Sequence, residues 1–134
     1  KINLPPDYDT DNIPLLLASK YRDIEITKLL LDSKADPNSR DMLGNTALHV
    51  LAFPLPVPCP YRDGPEIAKL LISRGAKMTR NSGEEGGAGD TPLSCLKSNL
   101  NIIQSNEAAY WRDLPFYNEL LSSFKSLAEI YGKL

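Results

Sequence analysis

The sequence carries almost nothing with which to run chemistry. It has one histidine, His49, and two cysteines, Cys59 and Cys95, with no Cys-x-x-Cys pair and no histidine beside either. Structural zinc sites draw four such ligands from close spacing, so no metal is expected and both thiols are expected to be free. A general base would have to be a carboxylate or a lysine, and no Gly-x-Ser-x-Gly nucleophile string occurs. Neither catalysis nor a cofactor is expected. No run approaches about 18 apolar residues and the opening residues lack a signal-peptide pattern, which argues against a membrane span and a secretory leader. The chain opens on Lys1 rather than methionine, as an excerpt of a longer protein would. Lysine and arginine number 15 against 17 aspartates and glutamates, a formal net charge of −2, and the basic residues form no cluster. A nucleic-acid binder presents a basic face, so that class is not expected either. With no Asn-x-Ser/Thr acceptor and free thiols, an intracellular, reducing location in cytoplasm or nucleus fits best.

What the sequence does have is repetition. Glu25-Ile26-Thr27-Lys28-Leu29-Leu30-Leu31 returns as Glu66-Ile67-Ala68-Lys69-Leu70-Leu71-Ile72. A second string, Ile13-Pro14-Leu15-Leu16-Leu17-Ala18, returns as Thr46-Ala47-Leu48-His49-Val50-Leu51 and as Thr91-Pro92-Leu93-Ser94-Cys95-Leu96. The first two copies start 33 residues apart, at 13 and 46, and the third starts 45 further on, at 91. The excess falls between the strings, where loops accept insertions. A unit of this size cannot bury its apolar face alone and must stack on neighbours, which predicts an all-α solenoid of about three helix-turn-helix units. Thr46 and Thr91 suit the helix N-cap, and Pro14 and Pro92 the first turn, where a missing N–H is no loss. Ile26, Leu29 and Leu30, at i, i+3 and i+4, predict one buried stripe, copied in 66–72.

The units read as about 8–40, 41–81 and 86–134 within a single domain, with insertions at about 54–64 and 82–89. In the first insertion Pro54, Pro56, Pro58 and Pro60 forbid a helix and favour an extended segment. The second is glycine-rich; it lacks Gly-Lys-Ser/Thr, and Glu84, Glu85 and Asp90 would repel a phosphate. Asp7-x-Asp9-x-Asp11 imitates the start of a calcium loop, but Asn12 and Ala18 stand where a glycine and a bidentate glutamate are required. Near the C-terminus, Phe116, Leu120, Phe124, Leu127 and Tyr131 predict a long closing helix that caps the stack, with Asn118-Glu119-Leu120-Leu121 a displaced echo of the repeat.

Asp41-x-x-Gly44-x-Thr46-Ala47-Leu48-His49, Ala35-Asp36-x-Asn38 and Gly75-Ala76-Lys77 match the pattern of the ankyrin-repeat family, which residues 8 to 100 resemble. The resemblance implies short β-hairpin loops between helix pairs, a histidine at His49 that ties neighbouring repeats through loop backbone, and a family that mostly binds other proteins. Lys34 replaces a glycine of the pattern, Leu16 and Ser94 replace the histidine, and Leu51 and Leu96 replace a small alanine. The resemblance places partner contacts on hairpin tips and the concave first-helix surface: Asp9, Thr10 and Asn12 on one tip, Arg40, Met42, Leu43 and Asn45 on the next, and Lys20, Tyr21 and Phe53 at the ends of first helices. The reading is a non-catalytic scaffold for protein binding, probing another protein or peptide. The alternative is a structural spacer or self-assembly domain, with a monomer expected and a dimer through the C-terminal helix as the second option.

Overall fold

The computed structural model describes residues 13–55, 57–82, 89–105 and 109–134. Asp9, Thr10 and Asn12, and the glycines of 83–88, lie outside them. The described chain forms α1 (Ile13–Lys20), α2 (Ile24–Asp32), α3 (Ala47–Val50), a 3-10 turn (Tyr61–Asp63), α4 (Gly64–Ser73), α5 (Pro92–Gln104), α6 (Ala109–Arg112) and α7 (Tyr117–Gly132). Helix starts follow local chemistry. The Asp23 carboxylate accepts from the Ile26 N–H at 3.0 Å, and Thr91 Oγ1 accepts from the Ser94 N–H at 3.1 Å. Helix α3 is short because the proline-spaced segment follows it; its last turn closes through Leu51, Ala52 and Phe53 before the backbone straightens.

The first helices α1, α3 and α5 pack side by side in one row, and α2, α4 and α7 pack in a second row behind them. Each unit is thus a helix pair, α1–α2, α3–α4 and α5–α7, stacked in line. Helix α7 takes the place of the third unit's second helix, so the displaced echo at 118–121 is in register after all. The intervening residues, with α6, are an insertion within that unit. Leu120, Phe124, Leu127 and Tyr131 are buried and Phe116 is half-buried, as their spacing predicts. Leu51 and Leu96, the large residues at alanine positions, are both fully buried.

One expectation fails. Ile26 and Leu29 do not form a buried stripe: they are 48% and 65% exposed, Leu30 is half-buried, and α2 buries Thr27 and Leu31 instead. The copied residue Ile67 is 0% exposed. The difference is position in the row: α2 covers that side of α4, and none of the described residues covers that side of α2.

Candidate interaction surface

The loop ahead of α3 is a tight turn closed on both sides. The Asp41 N–H donates to the Asn45 carbonyl at 3.0 Å, and the Asp41 carboxylate accepts from the N–H groups of Leu43 and Asn45, each at 2.9 Å. The next loop repeats the device with an amide: the Asn81 N–H donates to the Asp90 carbonyl, and Asn81 Oδ1 accepts from the Asp90 N–H at 2.7 Å. The two loops are bound together. Arg40 donates to the carbonyls of Gly44 and Arg80, Asn81 Nδ2 donates to Asn45 Oδ1, and the Ser82 N–H donates to the Leu43 carbonyl. Gly44 has φ +78°, and a Cβ there would stand 2.6 Å from the Ser82 nitrogen, so only glycine permits this approach. Behind the turns, Asn38 Nδ2 donates to the Gly75 carbonyl and its Oδ1 accepts from the Lys77 N–H.

On this fixed backbone Met42 and Leu43 project into solvent, 51% and 67% exposed. Of the other residues assigned to partner contact, Asn45 is buried and Arg40 is half-buried with its guanidinium engaged as above, so both shape the tip from beneath. Lys20, Tyr21 and Phe53 form a separate group. Arg22 gathers them: it is 1% exposed and donates to the carbonyls of Lys20, Leu51 and Phe53 at 2.6, 2.9 and 3.0 Å. Tyr21 is 51% exposed, Lys20 lies over its ring, and Phe53 is half-buried against the core. Met42 and Leu43 precede the N-terminus of α3, whereas this second group follows the C-termini of α1 and α3. The seven assigned positions among the described residues therefore do not form one row.

His49 sits in the core between units. Its Nδ1 accepts from the Thr46 N–H at 3.1 Å, and Nε2, 2.7 Å from the Asp90 carbonyl, carries the proton donated there. Thr46 thus closes a capping box with His49. Burial holds the imidazole pKa below its ordinary value, so the ring stays neutral. The tie to Asp90 joins the second unit to the third, the role the ankyrin resemblance implies.

Several load points have no sequence motif behind them. Arg22 is desolvated, which lowers its pKa, yet it keeps its charge through three carbonyl partners and the Tyr61 ring 5.0 Å away. The Tyr61 hydroxyl accepts from the Leu55 N–H at 2.9 Å and donates to the Leu55 carbonyl, clipping the start of the proline segment. Its ring stacks on Phe116 at 5.6 Å, so Arg22, Tyr61 and Phe116 form a file across three units. Tyr131 donates to the Leu48 carbonyl at 2.7 Å. A faint signal was available: Tyr21-Arg22-Asp23, Tyr61-Arg62-Asp63 and Trp111-Arg112-Asp113 each precede a second helix.

Burial raises the Cys59 pKa and pushes Cys95 up to about 11, so both thiols are poor nucleophiles at neutral pH. Among the described residues no group of three or more His, Cys, Asp or Glu is placed to hold a metal ion, and no helix is long and apolar enough to cross a membrane.

A family model, the ankyrin repeat, matches residues 10–42 and 43–82. Human protein fem-1 homolog A is 34% identical over 77 residues, 58% of this chain and 10% of its own length. Zebrafish protein fem-1 homolog C is 34% identical over 74 residues, 55% of this chain and 11% of its own. An ankyrin repeat protein of fowlpox virus is 48% identical over 61 residues, 43% of this chain and 11% of its own. The chain thus spans about a tenth of the length of the curated relatives it matches.

Proposed function

The chain belongs to the ankyrin-repeat family, whose units are generally protein-protein interaction modules and typically non-catalytic, and from that premise we propose that it captures a protein or peptide partner through the tip between its first two units. The observation that carries this reading is the pair Met42 and Leu43, large apolar side chains held in solvent on a backbone hydrogen-bonded from both sides. Such a tip binds with little ordering cost, because the entropy of fixing it is already met within the fold. Exposed apolar groups on a monomer are common singly; adjacent ones on a braced turn are the anchor geometry of interfaces. Leu17 and Tyr21, about half exposed on and just after α1, extend apolar surface along the first-helix row. The partner is a protein rather than a nucleic acid, in keeping with a net charge of −2, and the setting is intracellular.

The test is a double substitution, Met42→Ser with Leu43→Ser. With a partner captured from cell lysate, affinity is expected to fall by about tenfold or more, the scale of one interface anchor. The melting temperature is expected to stay unchanged, since both side chains lie outside the core. Unchanged affinity refutes the tip assignment. Assembly through the C-terminal helix is the weaker reading, because the apolar stripe of α7 is spent inside the stack.

A further inference from the structure

His49 stands under both turns at once. Its Nε2 donates to the Asp90 carbonyl at the base of the second turn, and its Nδ1 accepts from the Thr46 N–H at 3.1 Å, directly behind the first. The peptide group between Asn45 and Thr46 is therefore held at both ends. Its N–H goes to the histidine, while its carbonyl accepts from the Asp41 N–H at 3.0 Å and closes the turn that carries Met42 and Leu43. A peptide group is planar and moves as one body, so this N–H cannot swing away from the ring without displacing that carbonyl. The Asp41 carboxylate, which also holds the Leu43 N–H, leans on the same place through the Asn45 N–H and Nδ2.

Nδ1 holds the Thr46 N–H only while it is unprotonated, because a proton there turns the acceptor into a donor. The new donor finds Thr46 Oγ1, 3.0 Å away. The Thr46 N–H, on a residue 1% exposed, then loses its partner, and a buried unpaired donor drives the peptide group to turn. We propose that His49 is a proton switch for the interaction tip: protonation at Nδ1 tilts the peptide group between Asn45 and Thr46 and opens the turn under Met42 and Leu43, while the Nε2 bond to Asp90 keeps the units joined. The charged groups that act on the ring belong to the two turns, Arg40 opposing the proton and Asp41 and Asp90 favouring it. The helices packed on α3 carry Lys20 on α1, Glu66 and Lys69 on α4 and Lys97 on α5, and none of these adds to that set. Burial keeps the ring neutral at pH 7, so the turn is closed there and opens on the acid side of pH 6.5. The consequence for binding rests on the tip reading given above.

His49 is the only histidine, so its ring resonances are followed without overlap as the protein is titrated from about pH 7.5 to about pH 4.5. The Thr46 and Asp41 amide signals are expected to shift in step with the ring. Exchange of the Asp41 amide, corrected for the intrinsic effect of pH, is expected to quicken by about tenfold or more once the ring is protonated. The Asp90 amide, bound to Asn81, is expected to keep its protection, and His49→Gln to remove the step at Thr46. Flat Thr46 and Asp41 signals across the ring's titration overturn the proposal. Loss of protection at Asp90 together with Asp41 does so too, because the stack rather than the tip would then be yielding. These readouts need no partner and are separate from the tip assignment. Unchanged affinity in the chain with Met42→Ser and Leu43→Ser sinks that assignment alone, and flat amides beside a lost affinity sink the switch alone. Where the tip binds, wild-type affinity is expected to fall by about tenfold per pH unit below the folded pKa of the ring and to stay level in His49→Gln.

Discussion

Lys34 adopts φ +70°, the left-handed region, at the end of the first unit, where the second unit places Gly75 at φ +97°. A side chain there costs roughly 1–2 kcal/mol, while glycine returns up to about 1 kcal/mol as freedom in the unfolded chain. Lys34→Gly is therefore expected to stabilise by roughly 0.5–1 kcal/mol, read as a higher urea midpoint at unchanged slope; an equal or lower midpoint contradicts the strain argument. This position was legible in the sequence, as a lysine where the repeat pattern has glycine. Arg22 was not. Tyr21-Arg22-Asp23 and Tyr61-Arg62-Asp63 are spelled alike, yet in the first the arginine is buried and the tyrosine exposed, and in the second the reverse holds. Two of the three carbonyls that hold Arg22 belong to residues 51 and 53, at the mouth of the first insertion, and no local pattern announces them.

Among the elements, the proline segment is the one whose placement depends most on a single group. The Tyr61 hydroxyl serves both the N–H and the carbonyl of Leu55, and Tyr61→Phe leaves them without it while keeping the ring between Arg22 and Phe116. The cost is expected to be about 1–2 kcal/mol, with faster exchange at the Leu55 amide and faster proteolysis between residues 53 and 61. Exchange at Leu55 equal to wild type would show that the clip does not hold the segment. Helix periodicity made α7 and its buried stripe legible, but not its place in the stack, because the insertion bearing α6 separates it from the helix it partners. The same periodicity misled on α2. It reports that Ile26 and Leu29 share a face, whereas burial of that face is decided by a neighbour beyond the helix. For the interaction surface, Met42 and Leu43 stand exposed in the turn ahead of α3, where the family resemblance put them, while the inward aim of Asn45 follows from Asn81, 36 residues away.

At the scale of the whole stack, the second and third units are joined by a group that titrates. Burial keeps the His49 pKa below 6.5, so as pH falls the unfolded chain takes up the proton first. Its contribution is complete above pH 6.5 and is lost as pH drops from there through the folded value. Wild type is expected to lose urea resistance as pH falls below about 6.5, and His49→Gln is expected to lose less over the same interval; parallel losses would mean that the histidine does not carry the dependence. The closed turn bases have a consequence of another sort. Because Asn81 and Asp90 are clasped to each other and to the preceding turn, the chain leaves and re-enters the scaffold at fixed points. With Ser82 kept for its bond to the Leu43 carbonyl and Gly89 kept because a Cβ there would meet the Asn81 carbonyl, what lies between those two residues can be lengthened, shortened or rewritten while the register of the helices stays put, which makes that position a ready graft site for a new binding loop.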